Sequence, residues 1–146
     1  QRPEWIEPSM HEQIEHGRAA ATLEVGQALL ERTVLYEHMR QLMEPFDLLL
    51  TPQMPCAAWA YDRPVTHIDG QPTPRMFDRL QFTFPFNLTG WPAASVPCGF
   101  TSAGLPVALQ IVAPWRQDAR CLRAAAAFEA AQPWAQHRPA LVSATV

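Results

Sequence analysis

The sequence predicts an α/β layer structure, and three observations predict it. An apolar pattern close to a 3.6-residue period runs from about Thr22 to Met43, the mark of an amphipathic helix. Asp47-Leu48-Leu49-Leu50-Thr51 is a continuous apolar run ended by Pro52, the form of a short strand buried on both faces. Two more strand patterns and an amphipathic helix close the chain. Three short strands do not complete a sheet, so the remaining strands are expected from polypeptide outside these 146 residues.

The elements follow in order. Ser9-Met10-His11-Glu12 has the serine-to-glutamate spacing of a capping box and follows Pro8, which predicts a helix from about Ser9 to His16, interrupted at Gly17. In the second helix Leu23, Leu30, Val34, Met39 and Leu42 are expected to face a core, and Pro45 to stop it. From Pro52 to Pro74 the composition turns to Pro, Ala, Asp and Gln, with an Asp69-Gly70 turn pair, and predicts a long irregular excursion of the kind that forms lids or pocket walls. A short helix is expected over Arg75 to Leu80. Ala93 to Val96 and Pro106 to Val112 read as strands of a hairpin turned through Gly99 to Gly104. Asp118 is placed to cap a last helix over Ala119 to Ala131, with Leu122, Ala125, Ala126 and Phe128 apolar and Pro133 ending it.

Composition narrows the function classes. A hydrophobic content of 48% supports a packed core, and a net charge of -3 with scattered arginines argues against nucleic acid or an anionic membrane as partner. All 11 basic residues are arginine, so the chain holds no lysine. Cys56, Cys98 and Cys121 are odd in number and widely spaced, which fits neither a disulfide framework nor a zinc motif and suggests the reducing cytoplasm. No apolar run approaches the roughly 18 to 20 residues that span a bilayer. The opening Gln1-Arg2-Pro3-Glu4 lacks an initiating methionine, and the expectation is a segment cut from a longer chain.

A search for self-contained chemistry returns none. Ser95 lies between Ala94 and Val96 and Ser102 between Thr101 and Ala103, so neither stands in a nucleophile elbow. Cys98 reads as a small buried hydrophobe rather than a thiolate. His11 and His16 are five apart, about 140° round a helix, and so do not form a metal pair; no metal and no cofactor is expected. Gly90 and Gly99 stand outside any phosphate-binding pattern.

One segment carries more. Pro85-Phe86-Asn87-Leu88-Thr89-Gly90-Trp91-Pro92-Ala93-Ala94-Ser95-Val96-Pro97-Cys98-Gly99-Phe100, then Gly104-Leu105-Pro106-Val107-Ala108-Leu109-Gln110-Ile111-Val112, resembles the C-terminal block of the amidase-signature family. Its Gly and Pro positions make backbone demands that chance rarely meets. Phe46-Asp47-Leu48-Leu49-Leu50-Thr51-Pro52 resembles the family's strand into a Pro-rich stretch, and the last helix with Pro133-Trp134 resembles its closing helix, so the likeness covers about Thr22 to Pro139.

The resemblance implies an α/β/α fold around a mixed sheet, with residues 1–146 as the C-terminal segment of an amidase-signature domain whose N-terminal catalytic part is absent. It implies hydrolysis of a carboxamide by a serine, a bridging serine and a lysine, with backbone amides holding the oxyanion. No two serines are adjacent here and there is no lysine, so none of that triad maps onto this chain. The alternatives are a glutaminase component of the amidotransferase-subunit kind and a noncatalytic scaffold or binding module that kept the family fold. The implied partners are a small-molecule amide, the remainder of the amidase polypeptide and, as an open option, a second copy in a homodimer. Arg79-Leu80-Gln81-Phe82-Thr83 lies where members contribute substrate contacts, which makes Leu80, Gln81, Phe82, Thr83 and Phe86 the candidate pocket residues. The family's tRNA-dependent amidotransferase subunits carry an aspartate near Leu80. Leucine there disfavours glutamine, and Phe82, Phe84, Phe86 and Trp91 nearby either favour an apolar or aromatic amide or belong to the core.

Overall fold

The structure, a computed structural model, describes residues 5, 6 and 8–138. Helix α1 spans Pro8–Ala19 and runs through Gly17, which does not break it. Pro8 occupies the first turn, where its fixed φ suits a helix and its missing N–H costs nothing. That moves Ser9 inside the helix rather than to its cap, and its side chain lies outside those described.

Helix α2 spans Thr22–Met43, and the Glu24 carboxylate accepts from the Ala21 N–H at 2.8 Å to start it. Of the residues the period predicted to pack, only Met39 does so. Met43 is buried with Tyr36 and Met39 against it, whereas Leu23, Leu30, Val34 and Leu42 are exposed, Leu23 to 82%. At 100° per residue Leu23, Leu30 and Val34 form a stripe on the side opposite Met39 and Met43. Nothing among the described residues covers it.

Strand β1 spans Leu49–Pro52, β4 Ala93–Phe100 and β5 Pro106–Val112, in the order β1-β5-β4 with both pairs antiparallel. The prediction that the first strand is buried on both faces is corrected: β1 is an edge strand, and Leu50 is 56% exposed while its neighbour Leu49 packs inward. An edge tolerates Pro52, which has no N–H to give, and the Gln53 amide extends the ladder to the Ala108 carbonyl at 3.0 Å.

The hairpin of β4 and β5 is as predicted, though β4 runs on past Val96. Its register slips between Pro97, opposite Ala108, and Gly99, opposite Val107, so that Cys98 is the extra residue of a bulge. The turn is held by the Thr101 amide on the Leu105 carbonyl at 2.8 Å, with Gly104 at φ 76° where a side chain would be strained.

Between β1 and β4 lies the predicted excursion, which contains a small ladder of β2, His67–Ile68, and β3, Gln71–Pro72. Asp69 and Gly70 join them at φ 50° and 73°, the two positive values that a tight hairpin turn requires. A 3-10 turn at Met76–Arg79 answers the predicted short helix.

Helix α3, Phe84–Thr89, was not foreseen. Its signal was present in Pro85 near the start and Gly90 beyond the end, the usual asymmetry of helix termini. Gly90 stands at φ 70°, and the Gly90 and Trp91 amides both donate to the Phe86 carbonyl, at 2.8 and 3.2 Å. From α2, Arg32 Nε donates to the Leu88 carbonyl in the last turn of α3, a favourable place for a cation.

Helix α4 spans Asp118–Ala131. Gln117 rather than Asp118 holds the cap position, and Asp118 stands in the first turn, where its charge suits the helix dipole. Cys121, Ala124, Ala125 and Phe128 face the sheet, while Leu122 and Ala126 point to solvent, against the predicted apolar face.

The layers follow from alternation along β5. Val112 joins Met43, Phe86 and Trp91 on the side of α2 and α3. Ile111 joins Val96, Ala113 and Cys121 on the side of α4. Helices therefore flank the sheet on both faces, an α/β/α arrangement with two small cores.

Candidate functional site

The excursion and the ends of two strands border an open cavity of about 770 Å³. Leu50, Thr51 and Pro52 of β1 and Pro106 to Leu109 of β5 form its floor, and residues 53–59 form the opposite wall. Met54, Pro55, Ala57 and Trp59 make that wall apolar, and the half-buried Cys56 and Cys98 also line it. Helix α4 packs on β4 and β5, while Leu50, which lines the cavity from β1, stays exposed.

The residues singled out in sequence lie beside this cavity and do not line it. Leu80 is half-buried at the end of the 3-10 turn. Gln81 is exposed, and its Nε2 donates to the Asp78 carbonyl at 2.8 Å. Phe82 leaves its ring at the surface, and Thr83, half-buried, donates through Oγ1 to the Leu80 carbonyl at 3.0 Å. Phe86 is only 6% exposed and points into the core with Met43, Trp91 and Val112. Four of the five thus lie together in one short turn, and Phe86 belongs to the core instead.

Two polar residues outside that candidate set brace the surroundings, Gln110 at the turn of Phe82 and Arg79 at the excursion. Gln110, at the middle of β5 and 3% exposed, donates through Nε2 to Thr51 Oγ1 at 2.8 Å and to the Phe82 carbonyl at 2.7 Å. Arg79 donates through Nε to the Val65 carbonyl at 2.7 Å and through Nη2 to the Thr73 carbonyl at 3.1 Å, with its guanidinium 5.9 Å from the centre of the Trp59 ring. A lone amide within the apolar strand Pro106–Val112 was the available signal for Gln110. A buried polar side chain survives in a core only when its hydrogen bonds are made.

Among the described residues no three His, Cys, Asp or Glu side chains come together to hold a metal. No helix among them is long and apolar enough to cross a membrane.

The sequence model of one family, Amidase, matches residues 1–122. The chain belongs to the amidase family. It is 36% identical over 119 residues to an acylamidase of Rhodococcus erythropolis, covering 81% of this chain and 25% of that protein. It is 40% identical over 108 residues to one of the subunits of the glutamyl-tRNA(Gln) amidotransferase from a Synechococcus strain, covering 74% of this chain and 21% of that protein. In three dimensions it overlays a bacterial aryl acylamidase of the amidase-signature enzymes with a TM-score of 0.77 and 29% identity, over 92% of this chain and 29% of that one. The chain therefore spans about a quarter of the length of the curated relatives it matches. Its α/β/α layers are an amidase-family architecture.

Proposed function

We propose that this segment is the C-terminal part of an amidase-signature hydrolase that cleaves a carboxamide C–N bond with a serine, serine and lysine triad located outside it. The observation that carries this reading is the pairing of family membership with a chain that has no lysine and no adjacent serines. In the reaction the nucleophilic serine adds to the amide carbonyl, and the bridging serine relays its proton to lysine. The amine then leaves with a proton, and water releases the acyl group from the serine. Backbone N–H groups would hold the oxyanion.

In this reading residues 1–146 supply the edge of the sheet and a wall of the substrate pocket. Leu80, Gln81, Phe82 and Thr83 are the proposed contacts, and Phe86 belongs to the core. The exposed stripe of Leu23, Leu30 and Val34, and Leu50 on the open edge strand, are the surfaces assigned to the remainder of the polypeptide. Three free thiols accord with the cytoplasm as its compartment.

The substrate class we favour is an apolar or aromatic amide. Leu80 and Phe82 offer no charge to meet an amino group, and an acylamidase and an aryl acylamidase are among the relatives. A glutaminase of the amidotransferase kind is the second reading, favoured by the 40% identity over 108 residues to a protein of that kind.

The experiment treats the full-length polypeptide with a fluorophosphonate and maps the adduct by mass spectrometry, alongside turnover on an aryl amide and on glutamine. The expected adduct lies on a serine upstream of this segment, the expected turnover is on the aryl amide, and residues 1–146 alone show neither. An adduct on Ser9, Ser95, Ser102 or Ser143 would place the nucleophile inside the chain and overturn the proposal. Preferential glutamine hydrolysis would move the assignment to the second reading.

A further inference from the structure

The geometry points to Gln110 as a positioning residue that sets the substrate wall at Phe82 in register with the cavity floor at Thr51. The inference rests on the amidase reading above.

A primary amide nitrogen carries two N–H donors, and both are used here. One reaches Thr51 Oγ1 at 2.8 Å, the other the Phe82 carbonyl at 2.7 Å. Gln110 lies on the central strand β5, directly opposite Thr51 on β1 and Ser95 on β4, so its backbone is fixed from both sides. The residue is only 3% exposed, so the two bonds meet no solvent competitor. Thr51 lines the apolar cavity, and Phe82 stands in the turn between the 3-10 helix and α3. One amide therefore links the floor of the cavity to the wall beside it, across separations of 59 and 28 residues.

Few side chains can replace it. Glutamate and methionine of the same length have no N–H to donate, and asparagine is one methylene shorter. An unmade bond would leave the part-buried Phe82 carbonyl without this donor, and the turn would relax away from the sheet. A displaced binding wall weakens substrate and transition state alike, which raises KM and leaves kcat nearly unchanged. Phe86, by contrast, packs into the core with Met43, Trp91 and Val112.

The test uses the full-length polypeptide with Gln110→Met and Thr51→Val, hydrogen exchange resolved by peptide, and steady-state kinetics on an aryl amide. For Gln110→Met the expected result is at least about tenfold faster exchange over residues 82–88 with the β4–β5 hairpin unchanged, and KM raised at least about fivefold with kcat within about twofold. Thr51→Val keeps the bond to Phe82 but cuts the link to the cavity floor, and should move both readouts in the same direction as Gln110→Met by a smaller factor. Should Gln110→Met not fold, the unmutated protein still decides: the two Gln110 side-chain amide protons should be resolved by NMR and protected from exchange. Unprotected side-chain protons, unchanged exchange over residues 82–88, or kcat and KM that move equally would overturn the inference. Protection at Gln110 in a protein that turns over no amide would instead sink the amidase reading and, with it, the substrate role of this wall.

Discussion

Arg79 donates through Nε to the carbonyl of Val65, 14 residues earlier in the chain, at 2.7 Å. Its Nη2 reaches the Thr73 carbonyl, and Thr73, 2% exposed, donates its own Oγ1 to the same Val65 carbonyl at 3.1 Å. Three groups therefore converge where the excursion returns to the body of the fold. Without them the loop has only the short β2–β3 ladder and scattered turns to hold it.

Replacing Arg79 with alanine should free this loop. Hydrogen bonds from a charged donor contribute about 1.5 to 3 kcal/mol each, part of which survives in a half-buried site. The expected outcome is chymotrypsin cleavage after Trp59 or Tyr61 at least about tenfold faster, with exchange on β5 unaffected. Arg79→Lys keeps the charge and loses the fork that spans two carbonyls, so it should resemble alanine more than arginine. Equal cleavage rates in all three proteins would show that the excursion is held elsewhere.

How much was legible in sequence depended on whether the cause was local. The bounds of α2 were read correctly from Thr22 to Met43, because period, breaker and length all act within the helix. Its buried face was legible only at Met39, because the choice between Met39 with Met43 and Leu23 with Leu30 is made by what packs alongside. The same holds for Leu50, whose exposure follows from the edge position of β1 and not from its apolar run. The hairpin and the Asp69-Gly70 turn were legible through residues with special backbone freedom. In the candidate site, the wall at Leu80 to Thr83 came from family resemblance. Gln110 and Arg79 act across 28 or more and 14 residues of chain respectively, so although a lone amide in an apolar strand marks Gln110, the sequence does not name the partner of either.

The cysteines should divide by reactivity. Cys121 is buried against the sheet and donates to the Ile111 carbonyl at 3.2 Å, and burial pushes its thiol pKa above the ordinary value. The thiolate is the nucleophile, so both access and ionisation protect it. Cys56 and Cys98 are half-buried at the cavity. Iodoacetamide at neutral pH should modify those two at least about tenfold faster than Cys121, as read by peptide mass mapping. Labelling of Cys121 at the rate of Cys56 would mean that α4 leaves the sheet readily.

The last prediction concerns acid. Arg40 grips the Glu37 carboxylate with Nε at 2.9 Å and Nη2 at 2.8 Å, and Gln41 adds a third bond at 2.9 Å. The Arg40 hydrogen bonds first, and that of Gln41 second, hold the carboxyl well below its ordinary 4.5, at about 2. A carboxyl lowered on folding stabilises the folded state above its unfolded value and loses that contribution as the pH falls through the folded one. The window is therefore from about 4.5 down to about 2. In Arg40→Gln the Glu37 carboxyl should titrate closer to its ordinary value, as followed by the NMR shift of its side-chain carbon. The melting midpoints of variant and parent, apart at neutral pH, should converge at the acid end of that window. Both groups are accessible to solvent, so about 1 M salt, with a screening length near 3 Å, should shrink the difference as well. A midpoint difference that persists at the acid end, or that ignores salt, would assign the effect of Arg40 to the packing of its stem on α2 and not to the ion pair.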